Sequence, residues 1–369
     1  MSDSAGTSTP ALPDFYWDTI AEQAALARAH PDGVVDLSVG TPVDEVPTVV
    51  RAALSAAADQ PGYPLAAGTP ELRSAAADAL KRRFGVDGVG EDAVLPTIGS
   101  KELVAWLPTL LGVRAGDVVA IPELAYPTYE VGAVLAGARV QRLAPGERPP
   151  AGTRLVWLNS PSNPTGRVSA ASELREAVAA ARTVGAVVAS DECYLCLHYP
   201  PAGAPLSVLD PAVHDGRLDG LLAVHSLSKS SNMAGYRAGF VAGDQALVAR
   251  LLAVRRHAGM LVPRPVQAAM TAALSDDSHV AQQRERYAAR RAVLLAAVGA
   301  AGFAVEHSQA GLYLWISRDE PCRRTLAWFA ERGILVAPGD FYGPRGTRHV
   351  RLALTAPDER IATAAARLS

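Results

Sequence analysis

The chain has few cysteines, little net charge and no long apolar run, and each absence excludes a class of protein. Three cysteines in 369 residues cannot form a disulfide framework, which is typical of proteins in a reducing compartment. A formal net charge of −2 provides no basic surface for nucleic acid or anionic lipid. No apolar segment approaches the roughly 20 residues that cross a bilayer. We therefore expect a cytoplasmic protein without nucleic-acid or membrane partners.

The pattern of apolar runs predicts an α/β fold. Between residue 93 and about residue 240, short apolar runs alternate with helical stretches, which predicts a mostly parallel sheet sandwiched by helices. Residues 303–354 contain further short strands beside two helices, which predict a smaller α+β domain. The first residues have neither the basic start nor the apolar core of a secretory signal. The predicted division is a flexible tail (1–14), an N-terminal arm contributing to the small domain (15–48), a large domain (49–285) and a small C-terminal domain (286–369).

Polar residues follow four of the predicted strands, at the edge where open α/β sheets bind ligands. The four clusters are GSK at 99–101, NSPSNPTG at 159–166, DECY at 191–194 and SLSK at 226–229. Packing alone does not explain four such clusters. We expect them to form one ligand site in a cleft between the two domains.

Lys229 is the central candidate, because it comes directly after an apolar strand. A lysine in such a place shifts its pKa and becomes a nucleophile or a Schiff-base partner. Ser226 and Arg237 are residue types that bind phosphate, and together with the lysine they indicate pyridoxal 5'-phosphate. A buried Asp191 requires a cationic partner, which either a protonated pyridine nitrogen or an arginine or lysine of the chain could provide.

Two other motifs are open to a purely structural interpretation. Gly99 and Ser100 begin a predicted helix, where they either cap it or bind a phosphate through the free N–H groups and the hydroxyl. Cys193 and Cys196 form a C-x-x-C, but the pair follows a strand and has no second ligand pair. We interpret it as a chance spacing and predict no metal site.

Four motifs taken together resemble the class I and II, fold-type I, pyridoxal-phosphate aminotransferases. They are NPTG at 163–166, D-x-x-Y at 191–194, S-x-S-K at 226–229 and G-x-R-x-G at 235–239. The resemblance extends from about Trp17 to the end of the chain. The segment PTIGSKELVAW at 96–106 is most similar to bacterial N-succinyldiaminopimelate aminotransferases of lysine biosynthesis.

The resemblance implies a role for each matching residue in cofactor binding. Lys229 would form the Schiff base and move the proton of the substrate α-carbon, and Asp191 would pair with the pyridinium nitrogen. Asn163 and Tyr194 would hydrogen-bond the phenolic oxygen, and Tyr126 would stack on the ring. The phosphate would be surrounded by Gly99, Ser100, Lys101, Ser226 and Arg237. Lys101 stands where many relatives have a small or neutral residue, so it could instead point to solvent.

The resemblance also implies how substrate and subunits are bound. Arg351 would hold the substrate α-carboxylate in a bidentate pair, assisted by Asn163 and the backbone of Gly40. Tyr63 matches a tyrosine that reaches the phosphate of the neighbouring subunit. We therefore expect a homodimer with a shared active site.

The function that the resemblance implies is transamination of N-succinyl-LL-2,6-diaminopimelate with 2-oxoglutarate, with glutamate as amino-group partner. The extra carboxylates of this substrate require a further cation, for which Arg255, Arg256 and Lys101 are candidates; the first two could equally form a solvated helix face. The alternatives are another amino-acid aminotransferase and a carbon–sulfur β-lyase. A non-catalytic regulator would need an appended DNA-binding domain, which we do not expect in the residues before Trp17.

Overall fold

The computed structural model describes residues 12–369, so most of the tail predicted over residues 1–14 lies outside the described residues. The strands are β1 Val35–Asp36, β2 Val94–Ile98, β3 Val118–Pro122, β4 Arg139–Leu143, β5 Thr153–Asn159, β6 Val187–Asp191, β7 Leu221–Ser226, β8 Ala238–Gly243, β9 Ala304–Glu306, β10 Tyr313–Ser317, β11 Ile334–Leu335, β12 Ala337–Pro338 and β13 Val350–Ala353. The helices are α1 Ala21–Arg28, α2 Thr48–Ala56, α3 Pro70–Phe84, α4 Ser100–Leu110, α5 Thr128–Leu135, α6 Ala171–Thr183, α7 Pro211–His214, α8 Leu227–Ser230, α9 Gln245–Ala258, α10 Arg264–Ser275, α11 Ser278–Ala300, α12 Cys322–Glu331 and α13 Asp358–Arg367.

A seven-stranded sheet has the order β2-β8-β7-β6-β5-β3-β4. All of its neighbouring strands are parallel except β8, which runs antiparallel to β2 and β7. A second sheet, β12-β13-β10-β9, is antiparallel, and β1 pairs in parallel with β11. The predicted fold class, a mostly parallel sheet with a smaller α+β part, is confirmed. The domain boundaries stay a prediction.

Helices cover both faces of the central sheet, as its buried strands require. On one face Leu72 of α3, Leu174 of α6 and Met270 of α10 belong to a single apolar core. On the other face the core includes Leu103 of α4 and Leu251 of α9. All six residues of β7 are buried, which is why this strand appears in the sequence as a continuous apolar run.

Helix ends follow the local chemistry of the sequence. Thr69 caps α3 by accepting the Leu72 N–H at 3.2 Å, and Gly85 ends the helix with φ +67°. The sequence predicts one break, at 263–265, in the helical segment 244–298, but a second break separates α10 from α11. There the Asp276 carboxylate accepts the Ser278 hydroxyl at 2.7 Å and the His279 N–H at 3.2 Å, so Asp276 stabilises the start of a new helix.

None of the helices within residues 12–369 combines the length and the apolar character needed to cross a membrane.

Candidate active site

A cavity of about 300 Å³ is lined by strand ends of the central sheet, by the N-terminal segment and by β10 and β13. Eleven of the predicted site residues line it: Gly40, Ser100, Lys101, Tyr126, Asn163, Asp191, Tyr194, Ser226, Lys229, Arg237 and Arg351. Gly99 lies directly beside it, and Tyr63 is elsewhere. The structure therefore brings together residues that are more than 300 positions apart in the chain.

Asp191 ends β6 and is buried without a cationic partner among residues 12–369. Its carboxylate accepts the Tyr129 hydroxyl at 2.8 Å and the Cys193 N–H at 3.3 Å. Burial raises the pKa of Asp191, and the hydrogen bonds from Tyr129 and Cys193 act in the opposite direction. The alternative of an arginine or lysine partner from the chain is not realised in this part of the chain, so a cationic ligand atom would compensate the charge.

Tyr129, which holds Asp191, was missed in the sequence. It lies in the first turn of α5, is buried, and stacks on Trp157 with ring centroids 4.8 Å apart. Because residues 128–135 read as the apolar face of a helix, a tyrosine there looks like an ordinary core residue. Tyr126 precedes α5, and its ring centroid lies 5.8 Å from that of Tyr129, so no helical spacing in the sequence connected the two tyrosines.

Lys229 lies in α8, the short helix that follows β7, and is partly buried. Its Nζ donates a hydrogen bond to the Gly40 carbonyl and forms no ion pair within the described residues. Gly40 is required at its position, since a Cβ there would lie 2.2 Å from the Tyr313 Oη. The lysine amine is thus held at the cavity by a neutral group and not by a structural salt bridge.

The predicted phosphate residues come together at the end of three adjacent strands. Gly239 of β8 pairs with Thr97 of β2 and with Ser226 of β7. A Cβ at Gly239 would lie 3.0 Å from the Ser100 N, the first residue of α4. Free N–H groups at that helix start and the serine hydroxyls are suitable donors for a phosphate.

The Arg237 guanidinium closes this cradle. A Cβ on Gly99 (φ +73°) would lie 2.4 Å from the Arg237 Nη2, so only glycine allows this approach. Arg237 is exposed and donates to the Ala234 carbonyl at 2.9 Å. Lys101 is exposed and also lines the cavity, so both interpretations of this lysine stay open.

Arg351 of β13 is only 4% exposed, yet it faces no carboxylate within the described residues. Its Nη1 donates to the Asn163 Oδ1 at 2.9 Å and its Nη2 to the Ser38 carbonyl at 2.7 Å. Its Nε has no hydrogen-bond partner in this part of the chain. A buried cation with neutral neighbours and a free donor is suited to bind an anionic ligand group.

Aromatic rings form much of the remaining wall, and most of them were not predicted. The Arg351 guanidinium lies 3.8 Å from the centre of the Tyr313 ring and 5.0 Å from that of Tyr342. The Tyr313 and Tyr194 hydroxyl oxygens are 3.2 Å apart. Tyr16, Trp17 and Tyr126 complete the set. Tyr313 belongs to β10, where a continuous run of buried apolar residues gave no sign of a site.

The structure corrects the candidates for a distal cation. Arg255 was offered as a substrate contact or as part of a solvated face, and both hypotheses are wrong. It is fully buried, and its two Nη atoms lie 2.8 and 3.0 Å from the Glu102 carboxylate. Neither Arg255 nor Arg256 is among the residues found to line the cavity. Of the three candidates for the distal cation, Lys101 is the one found to line the cavity.

These features fit the functional groups of pyridoxal 5'-phosphate. Lys229 offers an amine for the aldehyde, the unpaired Asp191 carboxylate can accept a pyridinium N–H, and the Ser100–Ser226–Arg237 cradle can bind the phosphate. Arg351 remains available for a substrate carboxylate. The site thus defines an enzyme that uses this cofactor on amino acids.

The profile of the family "Aminotransferase class I and II" matches residues 32–368, and the chain belongs to this family. Its members depend on pyridoxal phosphate. The resemblance stated from the four motifs, and the cofactor that it implies, are therefore confirmed.

Individual relatives make the similarity specific. The chain is 62% identical to a probable aminotransferase from Mycobacterium tuberculosis over 99% of its own length and 87% of that protein. It is 58% identical to OxyQ, a 4-dedimethylamino-4-oxo-anhydrotetracycline transaminase from Streptomyces rimosus, over 97% and 99%. Among solved structures, N-succinyldiaminopimelate aminotransferase from Mycobacterium tuberculosis matches with a TM-score of 0.84 at 29% identity, covering 95% and 96%.

Proposed function

We propose that this aminotransferase exchanges an amino group between an amino acid and 2-oxoglutarate, with glutamate as the amino-group partner. One observation carries the proposal: Asp191, a buried anion, Arg351, a buried cation, and Lys229 line a single cavity, and within residues 12–369 neither buried charge has a counter-ion. Each charge is costly unless a ligand compensates it. An amino acid on pyridoxal phosphate provides both compensating groups.

The bound cofactor supplies an electron-withdrawing ring, and the protein supplies position and proton transfer. Arg351 orients the substrate through its carboxylate. Lys229 then holds and moves the proton at the substrate α-carbon, since its amine is at the cavity and not tied to an acid. Asp191 would pair with the ring nitrogen and keep it protonated, and the Asn163 and Tyr194 side chains would hydrogen-bond the ring oxygen.

For the substrate we propose N-succinyl-LL-2,6-diaminopimelate, which would place the enzyme in diaminopimelate and lysine biosynthesis. The similarity to the solved N-succinyldiaminopimelate aminotransferase supports this choice. Lys101 is exposed at the cavity and supplies a cation for the distal carboxylates. The small number of cysteines supports a cytoplasmic location.

A second candidate is a substrate with a flat, apolar ring system. The aromatic wall favours it, because Tyr16, Trp17, Tyr126, Tyr313 and Tyr342 offer ring faces and no distal charge. The 58% identity to a transaminase named for a tetracycline intermediate supports the same class.

A panel of amino donors distinguishes these candidates. We would measure kcat/KM with 2-oxoglutarate as acceptor for succinyl-diaminopimelate, aromatic amino acids and simple aliphatic ones. If the first candidate is right, kcat/KM is highest for succinyl-diaminopimelate, and this preference is lost in Lys101→Ala but kept in Trp17→Ala. If the second is right, kcat/KM is highest for aromatic amino acids, and this preference is lost in Trp17→Ala but kept in Lys101→Ala. Activity only with simple donors would keep the reaction and reject both substrates.

A sulfur-containing amino acid incubated without 2-oxoglutarate tests the carbon–sulfur β-lyase alternative. A β-lyase breaks the carbon–sulfur bond and releases a thiol, ammonia and an oxo acid without any acceptor. We expect no ammonia from the wild-type protein. Lys229→Ala serves as the control, since it should abolish either reaction.

We further propose a homodimer in which each subunit completes the other's phosphate site through Tyr63. This side chain is 92% exposed, although it belongs to a loop anchored by Arg264, whose Nε donates to the Tyr63 carbonyl at 3.3 Å. The exposed Leu65 follows it. Tyr63→Phe should weaken pyridoxal-phosphate affinity without changing the sedimentation of the dimer. Unchanged affinity would contradict the shared site.

A further inference from the structure

Two buried titratable residues adjoin the cofactor residues but take no part in the reaction described above. Glu192 comes directly after Asp191, and His225 directly precedes Ser226. In β6 and β7 Asp191 pairs with Val224, and the Glu192 N–H donates to the Val224 carbonyl at 2.9 Å. Because successive strand residues face opposite sides, Glu192 and His225 point away from the cofactor cavity. They line a separate cavity of about 20 Å³.

The two side chains contact each other at atoms that have no other partner in the part of the chain that the structure describes. The Glu192 Oε2 lies 3.4 Å from the His225 Nε2. Within residues 12–369 neither atom has a hydrogen-bond partner. Both side chains are buried, and the Glu192 Oε1 accepts the Val208 N–H at 2.7 Å. Each group is therefore the partner that the other requires.

The imidazole is fixed from both faces. Its ring stacks on Phe84 of α3 at 5.8 Å with an interplanar angle of 13°, and on Phe240 of β8 at 4.9 Å and 18°. Phe240 is also the residue that pairs with His225 in the sheet. The two stacks hold the plane of the ring, and the 3.4 Å contact between its Nε2 and the Glu192 Oε2 distinguishes this orientation from the one rotated by 180°.

The charged and titratable groups around the pair favour its neutral form. Arg83 of α3 faces it, already paired with Asp277 at 2.6 Å, and Asp191, Cys193 and Cys196 are the other such groups nearby. Burial raises the pKa of Glu192 to about 7 against the opposing hydrogen bonds of Val208, Ser207 and Ser190, and the Asp191 charge adds to the rise. Burial also lowers the pKa of His225 to about 3, helped by the Arg83 charge. The two shifts are complementary.

We propose that Glu192 and His225 are positioning residues that share one proton, held on the carboxyl group and facing the imidazole, and thereby fix the ends of β6 and β7. The pair sets the separation between Asp191 and Ser226, which, in the function proposed above, would bind the ring nitrogen and the phosphate of the cofactor. It also keeps a second negative charge from forming beside Asp191. Their role is exerted through these neighbours, without contact to substrate.

The pH dependence of unfolding tests the shared proton. The ordinary pKa values of the two groups are 4.5 for Glu192 and 6.5 for His225. Between these two values the folded wild-type pair holds one proton, on Glu192. The unfolded chain also holds one proton, on His225. The numbers of bound protons are equal, so the pair adds no pH dependence there. A variant of either residue removes one of the two bound protons that compensate each other, so its stability becomes dependent on pH.

The two single variants should depart from wild type in opposite directions. In Glu192→Gln, unfolding leaves a histidine that takes up a proton, so stability relative to wild type falls as the pH drops below 6.5. In His225→Gln, the folded chain keeps a proton on Glu192 that the unfolded chain loses above pH 4.5, so relative stability falls as the pH rises toward 7. Urea unfolding of the full chain without cofactor measures both. If the unfolding free energies of both variants change with pH in parallel with that of wild type, the proposal is overturned.

A measurement on the wild-type chain covers the case in which a variant does not fold. Nitrogen-15 NMR of histidine side chains should find His225 neutral at pH 7, with Nε2 accepting a hydrogen bond. A His225 that is protonated on both nitrogens at that pH would overturn the shared-proton pair. Both tests use the cofactor-free chain, so their outcome does not depend on the substrate assigned above.

Cofactor affinity tests the positioning role, with a buried histidine outside the site as control. His214 is buried and hydrogen-bonded through its Nε2 to the Leu209 carbonyl at 3.1 Å. We expect His225→Gln to weaken pyridoxal-phosphate binding roughly tenfold, the order expected when a supporting contact misplaces binding groups. Glu192→Gln, which keeps the shape and a donor toward the imidazole, should retain most of the affinity, and His214→Gln all of it. Equal affinities for His225→Gln and His214→Gln would overturn the role.

Discussion

Among residues 12–369 three arginines are buried, and their surroundings separate architecture from function. Arg255 meets the Glu102 carboxylate, and Arg290 meets Asp44 at 2.6 Å and Asp358 at 2.6 Å. Arg351 has only an amide oxygen, a backbone carbonyl and tyrosine rings. The first two are neutralised within the fold, whereas the third is left for a ligand. A buried charge without a counter-ion in this part of the chain is thus the clearest indication of the site. Asp191 shows the same feature as a buried negative charge.

The largest expected effect comes from removing the arginine that has no counter-ion. Arg351→Gln should lower kcat/KM for amino acids by roughly 10²- to 10³-fold, since losing one partner of a buried charge pair costs about 3–4 kcal/mol. The free energy of unfolding should change little, because the variant loses the hydrogen bonds to Asn163 and Ser38 but also removes a buried charge that has no counter-ion within residues 12–369. Steady-state kinetics and thermal unfolding of the same samples measure the two effects. An unchanged kcat/KM would remove Arg351 from the substrate site.

The matched variant at a neutralised arginine should give the opposite result. Arg290→Gln leaves Asp44, whose side chain is 12% exposed, without its partner, and should cost about 3 kcal/mol of unfolding free energy. Its kcat/KM should remain close to that of wild type. Urea unfolding measures the loss. If Arg290→Gln impairs kcat/KM as strongly as Arg351→Gln, the contrast between the two arginines fails.

A smaller effect is expected from the hydrogen bond that supports Asp191. Tyr129→Phe removes a bond that lowers the pKa of this carboxyl group, so the pKa rises further and less of the group is ionised in mild acid. The acid limb of the pH profile of kcat should move to higher pH, with a loss of roughly three- to tenfold at pH 6 and little change at pH 8.

A second buried tyrosine provides the control for this profile. The Tyr199 hydroxyl donates to the Gly311 carbonyl at 2.8 Å, and Tyr199 is not among the cavity residues. Tyr199→Phe should leave the acid limb in place. A limb that moves equally in both variants would show that Tyr129 has no specific effect on Asp191.

The smallest effect is expected where both members of a neutralised pair are replaced. The double variant Arg255→Met, Glu102→Leu should lie within about 1 kcal/mol of the wild-type stability, because apolar residues of similar volume substitute well for a buried ion pair. Arg255→Met alone should be less stable than the double variant. If the double variant is the less stable of the two, the pair contributes more to stability than its desolvation costs.

The sequence predicted those parts of the site that depend on local order. Asp191 and Lys229 each end or follow an apolar run, and the carboxyl ends of parallel strands meet at one edge. Arg351 came only from the resemblance, because its place in the cavity depends on the pairing of β13 with β10. The register between these two strands is not encoded in any local sequence pattern.

The errors and omissions have the same physical origin. Arg255 was wrongly offered to the substrate because its partner Glu102 lies 153 positions away in the chain. Tyr129 and Tyr313 were missed because a tyrosine in an apolar helix or strand looks like core. Only the folded chain brings the Tyr129 hydroxyl to Asp191 and the Tyr313 ring under Arg351. Contacts between distant segments are what the sequence alone does not reveal.

The most direct test of the central account is the yield of one half-reaction. Protein loaded with pyridoxal phosphate is mixed with excess amino acids in the absence of any 2-oxo acid, and the 2-oxo acid formed is quantified. We expect one equivalent per chain and no free ammonia, because the amino group stays with the protein until an acceptor arrives, and we expect none from Lys229→Ala. Continued release of oxo acid and ammonia, or no oxo acid from the wild-type protein, would contradict transamination at this site.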